Sequence, residues 1–220
     1  MIHKFQRIFL DILIFWLPVP VTLIMTNIWW RETKSLMITS TAVGLPLLYG
    51  YVIPGIGINI LQNWRFTNGV RIGGMYLHHG FMYASKMSFF GFIPLLLSIA
   101  SVHDSDGYIY WVIISTTLYA STAWLQDYLS HKFGYVVFHE KRGKDSKVKE
   151  NASLRYAPIC FPIIGSIYSI SLVAACKIYL FDVFPQTSFV GFFVLSFLAM
   201  ATIPSIAYGL LTKNELRRTK

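Results

Sequence analysis

Charged side chains are scarce in this sequence: Asp, Glu, Lys and Arg make up 13% of its 220 residues, against about 25% in an average soluble domain. Hydrophobic residues make up 55%, and the mean hydropathy is +0.53. A soluble core could not cover this much apolar surface. The composition therefore excludes an ordinary soluble domain and predicts an all-α, polytopic transmembrane bundle whose first partner is the lipid bilayer.

Cysteine is nearly absent, and the two cysteines that occur, Cys160 and Cys176, lie in one apolar segment. On a straight helix they would be roughly 24 Å apart, too far for a disulfide. No cysteine–histidine metal spacing, P-loop or nucleophile elbow is present. The sequence therefore predicts no cofactor, and a non-enzymatic role is favoured over an enzymatic one.

Long apolar runs predict about six transmembrane helices, because crossing the hydrocarbon takes roughly 20 apolar residues. The candidate spans are residues 8–30, 36–61, 87–102, 108–125, 154–180 and 188–211. The third span is short, and it can start earlier, near Ile72, with the histidine pair at its inner end.

The net charge of +9 comes from basic residues in short loops, which argues against nucleic acid as a partner. With both termini in the cytoplasm, the inner side holds all of the 19 lysines and arginines except Arg31, Lys34 and Lys177. Such a bias is what the positive-inside rule expects. We therefore predict a multi-pass protein of a bacterial plasma (inner) membrane with both termini cytoplasmic.

A polar segment, residues 62–86, interrupts the apolar runs with glycines, adjacent histidines and basic residues. Asp11 and Asp127 sit at the edges of two predicted helices, and Lys4 and Arg7 share a helix face with Asp11. In the six-helix topology these residues and Arg71 fall near one membrane boundary, where opposite charges should pair. Two interpretations of this charge cluster stay open: a site that couples ions, and a structural salt bridge.

Three stretches of the sequence resemble the RDD family of membrane proteins. KFQRIFLDILIF places Lys4 and Asp11 at the family's arginine and aspartate, TNGVRIGGM matches its T-x-G-K-R-x-x-G-L segment, and QDYLSHKFGYVVF matches a later aspartate segment. The matching positions are Lys4, Asp11, Thr67, Gly69, Arg71, Gly74, Asp127 and Leu129. Thr67, Gly69 and Gly74 would then form an interfacial motif.

The resemblance covers about residues 1–140 and implies ion or small-solute transport, since a few family members are linked to proton–cation exchange. It divides the chain into an RDD-like transmembrane domain at 1–140, a basic cytoplasmic loop at 141–153 and a C-terminal transmembrane helix pair at 154–220. The resemblance does not explain the last two helices.

Other functions remain open beside transport. The chain can be an accessory subunit that binds other membrane subunits or copies of itself. A membrane enzyme with a lipid-like substrate is a further alternative, and His78, Asp127 and His131 are its candidate metal ligands. Asp127 and His131 have a usable helical spacing, but neighbouring histidines such as His78 and His79 point about 100° apart on a helix and rarely share one metal.

Overall fold

The computed structural model describes residues 8–60, 64–67, 69–72, 75–101, 107–138, 152–180 and 185–218, and most of them are helical. Seven helices lie in these ranges: α1 Ile8–Trp16, α2 Pro18–Thr33, α3 Leu36–Ile60, α4 Leu77–Leu96, α5 Tyr108–Lys132, α6 Ala152–Leu180 and α7 Phe189–Arg218. Four short strands accompany them: β1 Trp64–Phe66, β2 Arg71–Ile72, β3 Met75–Tyr76 and β4 Val136–Phe138. The predicted all-α class is confirmed.

Three helical segments of the described chain are long and apolar enough to cross a membrane: Leu36–Ile60, Tyr156–Leu180 and Gln186–Tyr208. The pair α1 and α2 also qualifies if it forms one broken span, bent by 44°. The bend falls where Pro18 begins α2, because proline lacks the backbone N–H of a continuous helix. The protein is therefore a helical membrane protein with three or four candidate spans. The six predicted spans are not established by these criteria.

Helix α4 lies at the centre of the bundle, and its small residues let other helices approach closely. The indole Nε1 of Trp29 on α2 donates to the Ser88 carbonyl at 3.2 Å. The indole Nε1 of Trp111 on α5 donates to the Gly91 carbonyl at 2.7 Å. On its third side α4 meets α3, where Gly50 faces Gly80. Helix α4 can carry polar residues through the bundle because its neighbours cover it.

Helix α3 contains a π-helical segment, Ser40–Gly44, just before Pro46. Proline has no N–H to give to the carbonyl four residues earlier, which is that of Ala42. The hydroxyl of Tyr168 on α6 donates to this carbonyl oxygen at 2.9 Å. The irregular turn of α3 is therefore stabilised by a hydrogen bond from a helix distant in the sequence.

Replacing Tyr168 with phenylalanine should leave the buried Ala42 carbonyl unpaired and lower the free energy of unfolding by about 1–3 kcal/mol. In a Pro46→Ala background residue 46 has its own N–H, so the same replacement should cost clearly less. Denaturation in detergent of the wild type, both single variants and the double variant measures this difference as a coupling energy. An equal cost in both backgrounds would contradict the assignment.

The strands form a small cap at one end of the bundle, which we call the strand cap (residues 64–67, 69–72, 75–76 and 133–138). Strand β1 pairs antiparallel with β4, with Arg65 opposite Val137, and β2 pairs with β3. Because β1 follows α3 and β4 follows α5, these two helices end on the same side. Leu10 and Ile14 of α1 pack against Tyr135 of the strand cap, so α1 also starts there.

Candidate functional site

Three of the five residues of the predicted charge cluster, Asp11, Arg71 and Asp127, lie among the described residues, whereas Lys4 and Arg7 lie outside them. Asp11 is half-buried in α1. Arg71 is exposed on β2, where its Nη2 donates to the Tyr76 hydroxyl and its guanidinium lies 4.5 Å from the Tyr76 ring centroid. These contacts of Arg71 lie within the strand cap.

Two residues of the predicted interfacial motif build the strand cap. The hydroxyl of Thr67 donates to the Gly134 carbonyl at 3.0 Å, and its backbone N–H donates to the Tyr135 carbonyl at 2.9 Å. Gly69 has a φ of +126°, a left-handed backbone that favours glycine, and a Cβ there would lie 2.8 Å from Cε1 of His78. The third residue of the motif, Gly74, lies outside the described residues.

The candidate metal site of His78, Asp127 and His131 is not supported by the described part of the chain, which contains no group of three histidine, cysteine or acidic side chains able to hold a metal ion. His78 is buried among aromatic rings, with its ring centroid 4.6 Å from that of Phe15 and 4.8 Å from that of Phe66. Asp127 and His131 lie in the last turns of α5.

Asp127 belongs to a polar network between α4, α5 and α6. The hydroxyl of Tyr156 donates to its carboxylate Oδ2 at 2.8 Å. Beside it, the ammonium of Lys86 donates to the side-chain carbonyl of Gln126, whose amide nitrogen lies 2.7 Å from the Met82 sulfur. The Gln126 amide on α5 thus fixes the position of Lys86, and Tyr156 on α6 fixes the carboxylate of Asp127. The residues Lys86, Gln126, Asp127 and Tyr156 are called the polar network below.

Burial and neighbouring charges act in opposite directions on the pKa of Asp127, which follows the predicted span 108–125. Burial raises the pKa of this carboxyl above its ordinary value, while the hydrogen bond from Tyr156 and the charges of His131 and Lys86 lower it. Burial also lowers the pKa of His131, and the charge of Asp127 raises it. A carboxyl whose pKa is raised by burial takes up a proton more readily than an exposed one.

The sequence indicated Asp127 but not its partners. Lys86 was assigned to the basic residues of the inner boundary, whereas the structure places it on a central helix with its ammonium directed to α5. One available signal was its position in an unbroken helical stretch, YASKMSFF, four residues after Met82. Tyr156 gave no such signal, because tyrosine is common near membrane boundaries.

No protein-family model matches this chain, and no curated protein or solved structure is similar enough to count as a match. The class that the fold defines is that of a helical membrane protein with a polar network inside its bundle. Its function must be argued from that network.

Proposed function

We propose that this chain is an RDD-like integral membrane protein that carries protons or small cations across the bilayer, with Asp127 as the coupling residue. One observation carries the proposal: the carboxylate of Asp127 and the ammonium of Lys86 are held by hydrogen bonds with side chains of neighbouring helices within one bundle. Ionisable groups among membrane helices are costly and commonly mark ion or proton pathways.

The proposal includes six spans with both termini in the cytoplasm of a bacterial cell. The pairing of β1 with β4 supports it, because it brings the connections after α3 and α5 to the same end of the bundle. The contact of Leu10 with Tyr135 brings the start of α1 to that end too. The two further spans would then lie within α4 and α5.

Asp127→Asn is expected to reduce cation-dependent proton flux at least tenfold, because the amide can neither accept a proton nor carry charge. The measurement uses proteoliposomes with an internal pH dye and a membrane potential imposed by a potassium gradient. Glu32→Gln is the matched control, since Glu32 is an exposed acid at the end of α2. Equal reconstitution and equal melting temperatures are required of both variants.

Wild-type flux no greater than that of empty liposomes would overturn the transport proposal. The alternative is then a subunit of a larger membrane assembly, in which α7 would be a contact surface. This helix keeps large apolar side chains exposed, among them Val190 at 69% and Leu195 at 68%. Lipid would cover that face in the transport proposal, and other membrane subunits or a second copy would cover it in this one.

A further inference from the structure

Three buried hydroxyls lie in the middle of the bundle without a hydrogen bond to any residue that the structure describes. They belong to Ser115 and Tyr119 on α5 and to Ser169 on α6, whose exposed fractions are 2%, 1% and 1%. Buried hydroxyls of folded proteins almost always have a partner, and where the protein supplies none the partner is commonly an ordered water. Their burial therefore indicates a ligand, such as water, that can donate hydrogen bonds to these hydroxyls and accept hydrogen bonds from them.

These hydroxyls lie along one seam between α5 and α6. The two helices run antiparallel, since Asp127 meets Tyr156 near one end and Lys177 lies 4.8 Å from the Tyr108 ring centroid near the other. Between these levels Tyr119 packs closely on Gly165: a Cβ on residue 165 would lie 2.9 Å from Cδ1 of Tyr119. Ser115 precedes Tyr119 by one helical turn on α5, and Ser169 follows Gly165 by one turn on α6, so the two serines lie at a common level in this antiparallel pair.

Tyr83 of α4 connects this seam to the polar network. It lies one helical turn before Lys86, whose ammonium binds Gln126 next to Asp127, and it packs against the buried cluster that contains Tyr119. It also stacks edge-on against Tyr49 of α3, with the ring centroids 5.3 Å apart. A line of phenol and alcohol groups therefore leads from the carboxylate of Asp127 through Tyr83 and Tyr119 towards the opposite end of the bundle.

We propose that this line is a hydrated proton path, in which water molecules between the hydroxyls of Tyr83, Tyr119, Ser115 and Ser169 relay protons to and from Asp127. The inference rests on the proposed transport function and names its transported species. Each oxygen accepts a proton on one side and releases its own on the other, and rotation of the hydroxyls and waters then restores the direction of the hydrogen bonds for the next proton. Single neutral hydroxyls at successive turns suit this relay better than the shell of roughly six oxygens that a hard cation needs.

Tyr119→Phe tests the path, because it removes one hydroxyl and keeps the ring. This hydroxyl has no hydrogen bond among the described residues, so its removal should leave the melting temperature unchanged or raise it. Proton flux should fall at least tenfold. A residue with only a structural role would not combine these two results. Ser169→Ala is a second variant of the same kind, with the same expectation.

The matched control is Tyr179→Phe. Tyr179 also has a buried hydroxyl without a hydrogen bond among the described residues, but it packs between Phe189 and Phe192 at the far end of α6. Its loss should leave flux at the wild-type level. Wild-type flux in Tyr119→Phe and Ser169→Ala, while Asp127→Asn is inactive, would overturn the path and leave the transport proposal intact. Sodium transport without proton movement would overturn it as well.

Discussion

Gly50→Ala is expected to be among the most destabilising single substitutions in this protein, at a cost of about 3 kcal/mol, the upper part of the usual range for overpacking. A Cβ on residue 50 would lie 2.9 Å from the Cα of Gly80 and 3.0 Å from the Cβ of Tyr83. The first of these atoms belongs to the backbone of α4 and cannot turn aside, so the two helices must separate. Close crossings of membrane helices depend on small residues for this reason.

Gly44→Ala is the matched control, because it lies in the same helix and its added Cβ would meet only the Cβ of Ser40, at 3.9 Å. Alanine favours a helix over glycine by about 1 kcal/mol, so this variant should be neutral or more stable. Thermal and chemical denaturation of both variants in the same detergent measures the difference. Similar stabilities for the two variants would show that the crossing of α3 and α4 is looser than the structure indicates.

The extent of the apolar helices was largely predictable from the sequence. The predicted span 36–61 corresponds to Leu36–Ile60, and the span 154–180 corresponds to Ala152–Leu180. In both cases the length and hydropathy of the run determine where a helix can lie. The first span differs, because the predicted helix 8–30 is a bent pair that breaks before Pro18. Membrane helices tolerate proline, and whether a proline such as Pro18 bends the helix depends on the neighbouring helices.

The central helix was predicted less well. The span 87–102 was expected, with an earlier start near Ile72 as the alternative, and α4 runs from Leu77 to Leu96. Its start is therefore closer to the alternative, and its end comes earlier than predicted. Its first turns carry His78, His79 and Lys86, which a hydropathy pattern assigns to a boundary or loop. The two histidines are nonetheless buried, because the strand cap covers them, and strands that pair over a long separation leave no local pattern.

The candidate site, too, was predictable only in part. Asp127 could be selected because a carboxylate directly after an apolar run is costly unless it is held. Its hydrogen bond to Tyr156 spans 29 residues, and the one between Lys86 and Gln126 spans 40. Such pairs depend on which helix faces meet, and spacing along one helix does not contain that information.

Acidification is expected to destabilise the folded protein through His78, a residue of the strand-cap end. Burial lowers the pKa of this imidazole from 6.5 to about 4, and its exposed fraction is 4%. Between these values the unfolded chain binds a proton that the folded protein does not, so stability falls as the pH falls through this window. The contribution of His78 is fully present above pH 6.5, and about 3 kcal/mol of it is lost by pH 4.

His78→Phe separates this effect from the rest of the acid response. Phenylalanine keeps the ring contacts with Phe15, Phe66 and Tyr76 but does not titrate. The substitution removes no hydrogen bond among the described residues, because neither ring nitrogen of His78 makes one there. The variant should match the wild type above pH 7 and be clearly more stable at pH 4.5. Burial lowers the pKa of the neighbouring His79 as well, so part of the acid sensitivity should remain. Parallel pH curves for the two proteins, with melting temperature measured in detergent, would show that His78 is not held neutral by the strand cap.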